Sequence, residues 1–123
     1  MSSIRVIAGR FGGRKLDAPD DKNTRTKPMG ERIRNALFNS LGSEIDGARI
    51  LDAFAGTGSV GIEALSRGAS RATFVERDKI AAKILSNNVV SLGLENETEV
   101  IKTSVSNWLS TSQPESYDII FAD

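Results

Sequence analysis

The chain has 123 residues, 39% of them hydrophobic and 26% charged, which suits one soluble globular domain and leaves room for one site. It contains no cysteine and no histidine, so thiolate and imidazole metal sites, cysteine nucleophiles and histidine-based triads are excluded. Chemistry must fall to carboxylates, backbone groups or an organic cofactor, and no metal is expected. The formal net charge is zero, yet residues 1–36 hold nine basic side chains against four acidic ones, a surplus of five that the remainder cancels. That split predicts a polyanion-facing N-terminal segment on a body with acidic features of its own. The chain lacks an apolar run of about 20 residues and the apolar stretch of a signal peptide, which predicts a cytoplasmic protein. A monomer is expected.

In chain order, Ile4 to Ala8 and Lys15 to Ala18 read as short strands around Gly9, Gly12 and Gly13, a glycine-rich hairpin carrying Arg10 and Arg14 near its tip. The polar, aperiodic stretch from Asp20 to Pro28 reads as a loop. Ile33, Leu37, Phe38 and Leu41 then fall on one helical face, and Gly42 is a natural stop, which predicts a helix from about Glu31 to Leu41. An alternation follows: strand from Arg49 to Phe54, helix from Val60 to Arg67, strand from Arg71 to Glu76. Asp78 caps the next helix, whose apolar positions are Ile80, Ala81, Ile84, Leu85 and Val89 and which ends at Gly93. Glu97 to Lys102 is a further strand, Val105 to Leu109 a helical turn whose Trp108 caps the sheet core, and Tyr117 to Ala122 a last, strongly apolar strand. The alternation predicts an α/β fold, a parallel sheet with helices on both faces and right-handed crossovers. Residues 1–28 form the basic hairpin and loop in this reading, and residues 29–123 the sheet domain.

The strongest motif runs from Ile50 through Asp52, Ala53, Phe54, Ala55, Gly56, Thr57 and Gly58 to Gly61, a strand entering a glycine turn that opens a helix. Gly56 and Gly58 let the backbone approach a ligand, and Gly61 allows close packing of helix on strand. Glu76 ends the next strand 20 residues after Gly56, where a carboxylate accepts hydrogen bonds from both ribose hydroxyls of a nucleoside. Electrostatics then separates two cofactor classes. A dinucleotide brings a pyrophosphate to the helix N-terminus, where Asp52 would repel it, whereas S-adenosylmethionine brings a sulfonium and an ammonium group and no phosphate. In a sheet ordered 3-2-1-4 the motif strand adjoins the last one, so Asp52 and Asp123 face one crevice at the topological switch point. The fold predicted is therefore a Rossmann-like S-adenosylmethionine-dependent methyltransferase domain with an N-terminal β-hairpin extension. Ala55, Arg77, Ser104 and Val105 complete the expected cofactor contacts, the last two beside the adenine ring. Arg10, Arg14, Arg25 and Lys27 are the expected phosphate contacts, because arginine offers planar paired donors.

Further residues carry a resemblance. Arg5-Val6-Ile7-Ala8-Gly9 with Gly12-Gly13-Arg14, Lys27-Pro28-Met29-Gly30-Glu31-Arg32-Ile33-Arg34 with Leu37-Phe38-Asn39, the glycine motif, Glu63-Ala64-Leu65-Ser66-Arg67-Gly68-Ala69 and Phe121-Ala122-Asp123 together resemble the bacterial small-subunit ribosomal RNA guanine-N2 methyltransferases. The resemblance spans essentially the whole chain, and its hairpin and Pro28 segments are more specific than its glycine loop. In that family Asp123 would open an Asp-Pro-Pro-Tyr or Asp-Pro-Pro-Phe motif, of which this sequence shows the first residue. Lys27 stands where arginine is usual, and Ser104 where the wider class often has an acid. The resemblance implies methyl transfer to the exocyclic amine of a guanine in 16S ribosomal RNA or an assembling small subunit. It makes Asp123 the acceptor that orients the amine and the chain as given inactive alone. Two other readings stand beside it: an NAD-dependent oxidoreductase fragment, against which Asp52 argues, and a non-catalytic RNA-binding module.

Overall fold

A computed structural model of the chain describes residues 3–18, 29–111 and 117–122. Two short strands, β1 (Ser3–Arg5) and β2 (Lys15–Asp17), pair antiparallel, with Ser3 opposite Asp17. They are followed by helix α1 (Glu31–Leu41) and then by β3 (Arg49–Asp52), α2 (Ser59–Ser66), β4 (Arg71–Val75), α3 (Lys79–Ser91), β5 (Thr98–Ile101), α4 (Val105–Thr111) and β6 (Ile119–Phe121). The strands β3 to β6 form one parallel sheet in the order β5-β4-β3-β6. The expected 3-2-1-4 order is therefore present, with β3 at the switch point between β4 and β6.

Strand alternation assigns the two faces. Ile50, Ala72 and Phe74 point to one side, where they share a buried cluster with Phe38 of α1, Ile62 and Leu65 of α2, and Leu85 and Val89 of α3. Leu51 and Val75 point to the other, against Trp108 of α4 and Tyr117, whose rings lie 6.4 Å apart. Helices thus cover both faces, with α1, α2 and α3 on one and the short α4 on the other. Trp108 does cap the sheet. Phe74 is fully buried, which stabilises the fold by about 1.5–3 kcal/mol. A Cβ on Gly61 would lie 2.3 Å from its ring, so the packing of α2 on β4 requires glycine there. At the start of α3 the Asp78 side chain accepts the Ile80 N–H at 3.0 Å, the predicted cap.

Two predicted core positions are corrected. Ile33 and Ile80 are 64% and 62% exposed. On α1 the inward stripe passes through Arg34 and Phe38, one turn apart, so Ile33 is rotated outward. A guanidinium occupies the buried place because a buried carboxylate, Glu63, lies opposite it at 3.5 Å. Glu63 also accepts the N–H groups of Ile7 and Ala8 at 2.9 and 3.1 Å and Arg67 Nε at 2.8 Å. This network, together with Ser66 accepting from Phe11 N–H and donating to the Ala8 carbonyl, clamps the hairpin loop onto α2. Val6 and Leu16 join the main core.

Candidate cofactor cleft

A cleft of about 980 Å³ opens beyond the C-terminal ends of β3, β4, β5 and β6, the position at which open parallel sheets bind ligands. Asp52, Ala55, Gly56, Glu76, Arg77, Ser104 and Val105 all line it, so the fold gathers these expected cofactor residues into one place. Phe54, Leu37, Met29 and Ile120, which sequence reasoning did not single out for the site, form its apolar side. Phe54 is 59% exposed.

Asp52 ends β3 and is buried beneath the glycine turn, where its Oδ2 accepts the N–H of Gly61 at 3.2 Å. Burial, opposed by that hydrogen bond and reinforced by the charge of Glu76, pushes its carboxyl up to about 7. A cation entering the cleft would reverse the balance and hold Asp52 ionised. Glu76, at the end of β4, accepts Gly56 N–H at 2.7 Å through Oε1 and Asp78 N–H at 2.8 Å through Oε2. The two bonds fix the carboxylate and leave each oxygen with further capacity to accept a hydrogen bond. Gly56 has φ +58° and nothing within 4 Å of a notional Cβ, as suits a backbone left open to a ligand. Gly58 is different. It does not line the cleft, and its φ of +93° would aim a Cβ to within 2.3 Å of Leu85, so what requires glycine there is packing on α3. Ser104 lines the cleft, but its hydroxyl already accepts Asn107 N–H at 3.1 Å and so starts α4.

The basic residues separate. Arg10 pairs with Glu97 and lies over the Phe11 ring, while Arg14 donates to the Ser91 carbonyl at 3.3 Å. Glu97 precedes β5 and Ser91 ends α3. In a parallel sheet with helical crossovers both points belong to the end opposite the cleft. The hairpin tip is thus far from the acidic pocket, a separation invisible in a linear charge count. Arg25, Lys27 and Asp123 lie outside the described residues. The chain leaves the described region after Ala18 and resumes at Met29 on the cleft wall.

With this geometry in view, comparison with known proteins is decisive at the level of family: the family described as conserved hypothetical protein 95 matches residues 4–123. The chain belongs to this family. It is 41% identical over 122 residues to the ribosomal RNA small subunit methyltransferase D of Haemophilus influenzae, covering 98% of this chain and 62% of that protein. The Escherichia coli protein of the same name is 39% identical over 120 residues, covering 98% and 59% respectively. The chain therefore spans about 60% of the length of these curated relatives. Among solved structures, a proposed methyltransferase of Escherichia coli superposes with a TM-score of 0.87 at 36% identity, over 99% of this chain and 64% of that one. The Rossmann-like methyltransferase fold is thereby shown, with its sheet represented here by four parallel strands. Among the described residues, no helix is long and apolar enough to cross a membrane.

Proposed function

We propose that the cleft binds S-adenosylmethionine and that the chain forms the donor-binding part of an enzyme that methylates the exocyclic N2 amine of a guanine in 16S ribosomal RNA. The observation that carries the donor assignment is Asp52, a buried carboxylate with one N–H partner and no cationic one among the described residues. It suits a ligand bearing ammonium and sulfonium charge and opposes a pyrophosphate. Glu76 suits a ribose in either case and does not discriminate. S-adenosylmethionine, when bound, supplies an electrophilic methyl group. The chain's own residues bind and orient: Asp52 attracts the cationic end, the Gly56 turn shapes the floor, Glu76 accepts ribose hydroxyls, and Ser104 and Val105 flank the base. Ala55 and Gly58 support the turn, and Arg77 stands at its rim.

The names of the relatives support small-subunit ribosomal RNA as the substrate, and the guanine amine rests on the resemblance that includes Phe121-Ala122-Asp123. Guanine's exocyclic nitrogen is a weak nucleophile, because its lone pair is delocalised into the ring. A carboxylate at Asp123 accepting one of its N–H bonds would hold it in line and favour charge developing on nitrogen. Ala122, the last described residue, lines the cleft. Arg10, Arg14, Arg25 and Lys27 are the phosphate contacts in this reading, and the setting is cytoplasmic. Titration calorimetry tests the donor: S-adenosylmethionine or S-adenosylhomocysteine should bind, and tighter binding of NAD would sink the assignment. A radiolabelled-methyl assay on unmodified small-subunit RNA tests the acceptor. In a chain extended to the length of its relatives, Asp123→Ala should abolish transfer and leave donor affinity within a few fold. The 123-residue chain alone should not turn over.

A further inference from the structure

Asn88 on α3 is only 2% exposed, and its amide spends its bonding capacity on two distant pieces of backbone. Its Oδ1 accepts Asp17 N–H at 2.8 Å and its Nδ2 donates to the Asp17 carbonyl at 3.0 Å, so it pairs with β2 as a neighbouring strand would. The second Nδ2 hydrogen goes to the Thr57 carbonyl, also at 3.0 Å. On the other side of that peptide, Gly58 N–H donates to the Ala55 carbonyl at 3.0 Å. The Thr57–Gly58 peptide is therefore held at both edges, through its C=O and its N–H, and Thr57 lines the cleft between Gly56 and Ser59.

We propose that Asn88 is a positioning residue that couples the N-terminal hairpin to the glycine turn, so that seating the hairpin sets the turn in its ligand-binding shape. An asparagine amide has two flip states, and only one presents an N–H to Thr57. The reciprocal pair with Asp17 selects that state, because the flipped amide would set oxygen against the Asp17 carbonyl and N–H against N–H. The hairpin thus does more than cover α2: through Asp17 it decides whether the Thr57 carbonyl has a donor. Thr57 Oγ1, buried with no partner among the described residues, offers no substitute anchor. The inference rests on the reading of the cleft as a methyl-donor site, and the experiment keeps the two apart.

Amide hydrogen exchange on the unaltered chain, with and without S-adenosylhomocysteine, reads the coupling directly. Binding should slow exchange at Asp17 in step with Gly58, by about tenfold at tenfold saturation. Phe11, whose N–H is held by Ser66 at the other end of the hairpin, should change little. Asp17 unchanged while Gly58 is protected would overturn the coupling, as would equal protection at Asp17 and Phe11. Absence of binding to the unaltered chain would instead overturn the donor reading. In a second arm, Asn88→Ala should weaken S-adenosylhomocysteine about tenfold, whereas Ser66→Ala, which also loosens the hairpin, should leave affinity within twofold. Leu16→Ala, loosening β2 from the core, should weaken binding in the native protein and have little further effect in Asn88→Ala, since coupled contacts do not add. Full additivity would also overturn the proposal. If Asn88→Ala does not fold, hydrogen exchange on the unaltered chain decides the matter by itself.

Discussion

Two acids sit in the interior of this protein under opposite conditions. Glu63, on the hairpin side of α2, is surrounded by Arg34, Arg67 and two backbone N–H groups. Asp52, on the cleft side of the same helix, has the Gly61 N–H alone among the described residues. Both are buried to nearly the same degree, at 1% and 4% exposure. The difference separates two roles: a carboxylate whose partners come with the fold serves the fold, and one left short of partners beside an open cleft is, in the proposed reading, the one that a ligand completes.

The largest effect that would break this comparison is on stability. Glu63→Ala strands Arg34 and two hairpin amides in the interior and should cost about 3–5 kcal/mol, read as a lowered denaturation midpoint. Asp52→Asn should cost little by the same measure, since the amide oxygen still accepts from Gly61. If the two substitutions destabilise alike, the distinction is lost. Next in size, Glu76→Ala should weaken S-adenosylmethionine by about 1.5–3 kcal/mol in calorimetry, as it removes charge-assisted bonds to the ribose and frees the Gly56 N–H. Unchanged affinity would mean that the ribose lies elsewhere.

A pH series sharpens the contrast further. The Asp52 carboxyl stands near 7 in the folded chain through burial, against about 3.9 when unfolded. Between those values the folded state holds a proton that the unfolded state releases, so this group's contribution to stability falls as pH rises from about 4 to 7 and levels off above. Binding of a cationic ligand favours the ionised form, so affinity should rise with pH through 7. Asp52→Asn should flatten the affinity profile, and a profile unchanged by that substitution would show that Asp52 is not the titrating group.

The smallest effect concerns RNA. Arg10 and Arg14 are engaged with Glu97 and Ser91 at the end away from the cleft. Removing Arg25 and Lys27 together should therefore flatten the slope of log affinity against log salt by more than removing Arg10 and Arg14, with somewhat under one unit lost per phosphate contact. The reverse order in filter binding would place the RNA across the hairpin tip.

Much of this was legible in the linear sequence because its causes are local. Strand and helix alternate with apolar spacing, Asp78 is a cap by its own geometry, and Asp52 and Glu76, at the ends of neighbouring strands, come together on the wall of one cleft. The 3-2-1-4 order, adopted with the glycine-turn motif, put Asp52 at the switch point, where β3 indeed lies. Only the tertiary structure could decide the rest, because it depends on which distant surfaces meet. Arg34 displaces Ile33 from the inner face of α1 because Glu63 lies across from it, 29 residues later in the chain. Gly58 is needed for Leu85 on α3, and Asn88 speaks to Asp17 and Thr57 at once. The surplus of positive charge in residues 1–36 is plain in the sequence, but the fold sends Arg10 and Arg14 to the end of the sheet opposite the acidic cleft. Spacing along a chain reports what a residue can do with its neighbours, and a buried charge is satisfied by whatever packing brings to it.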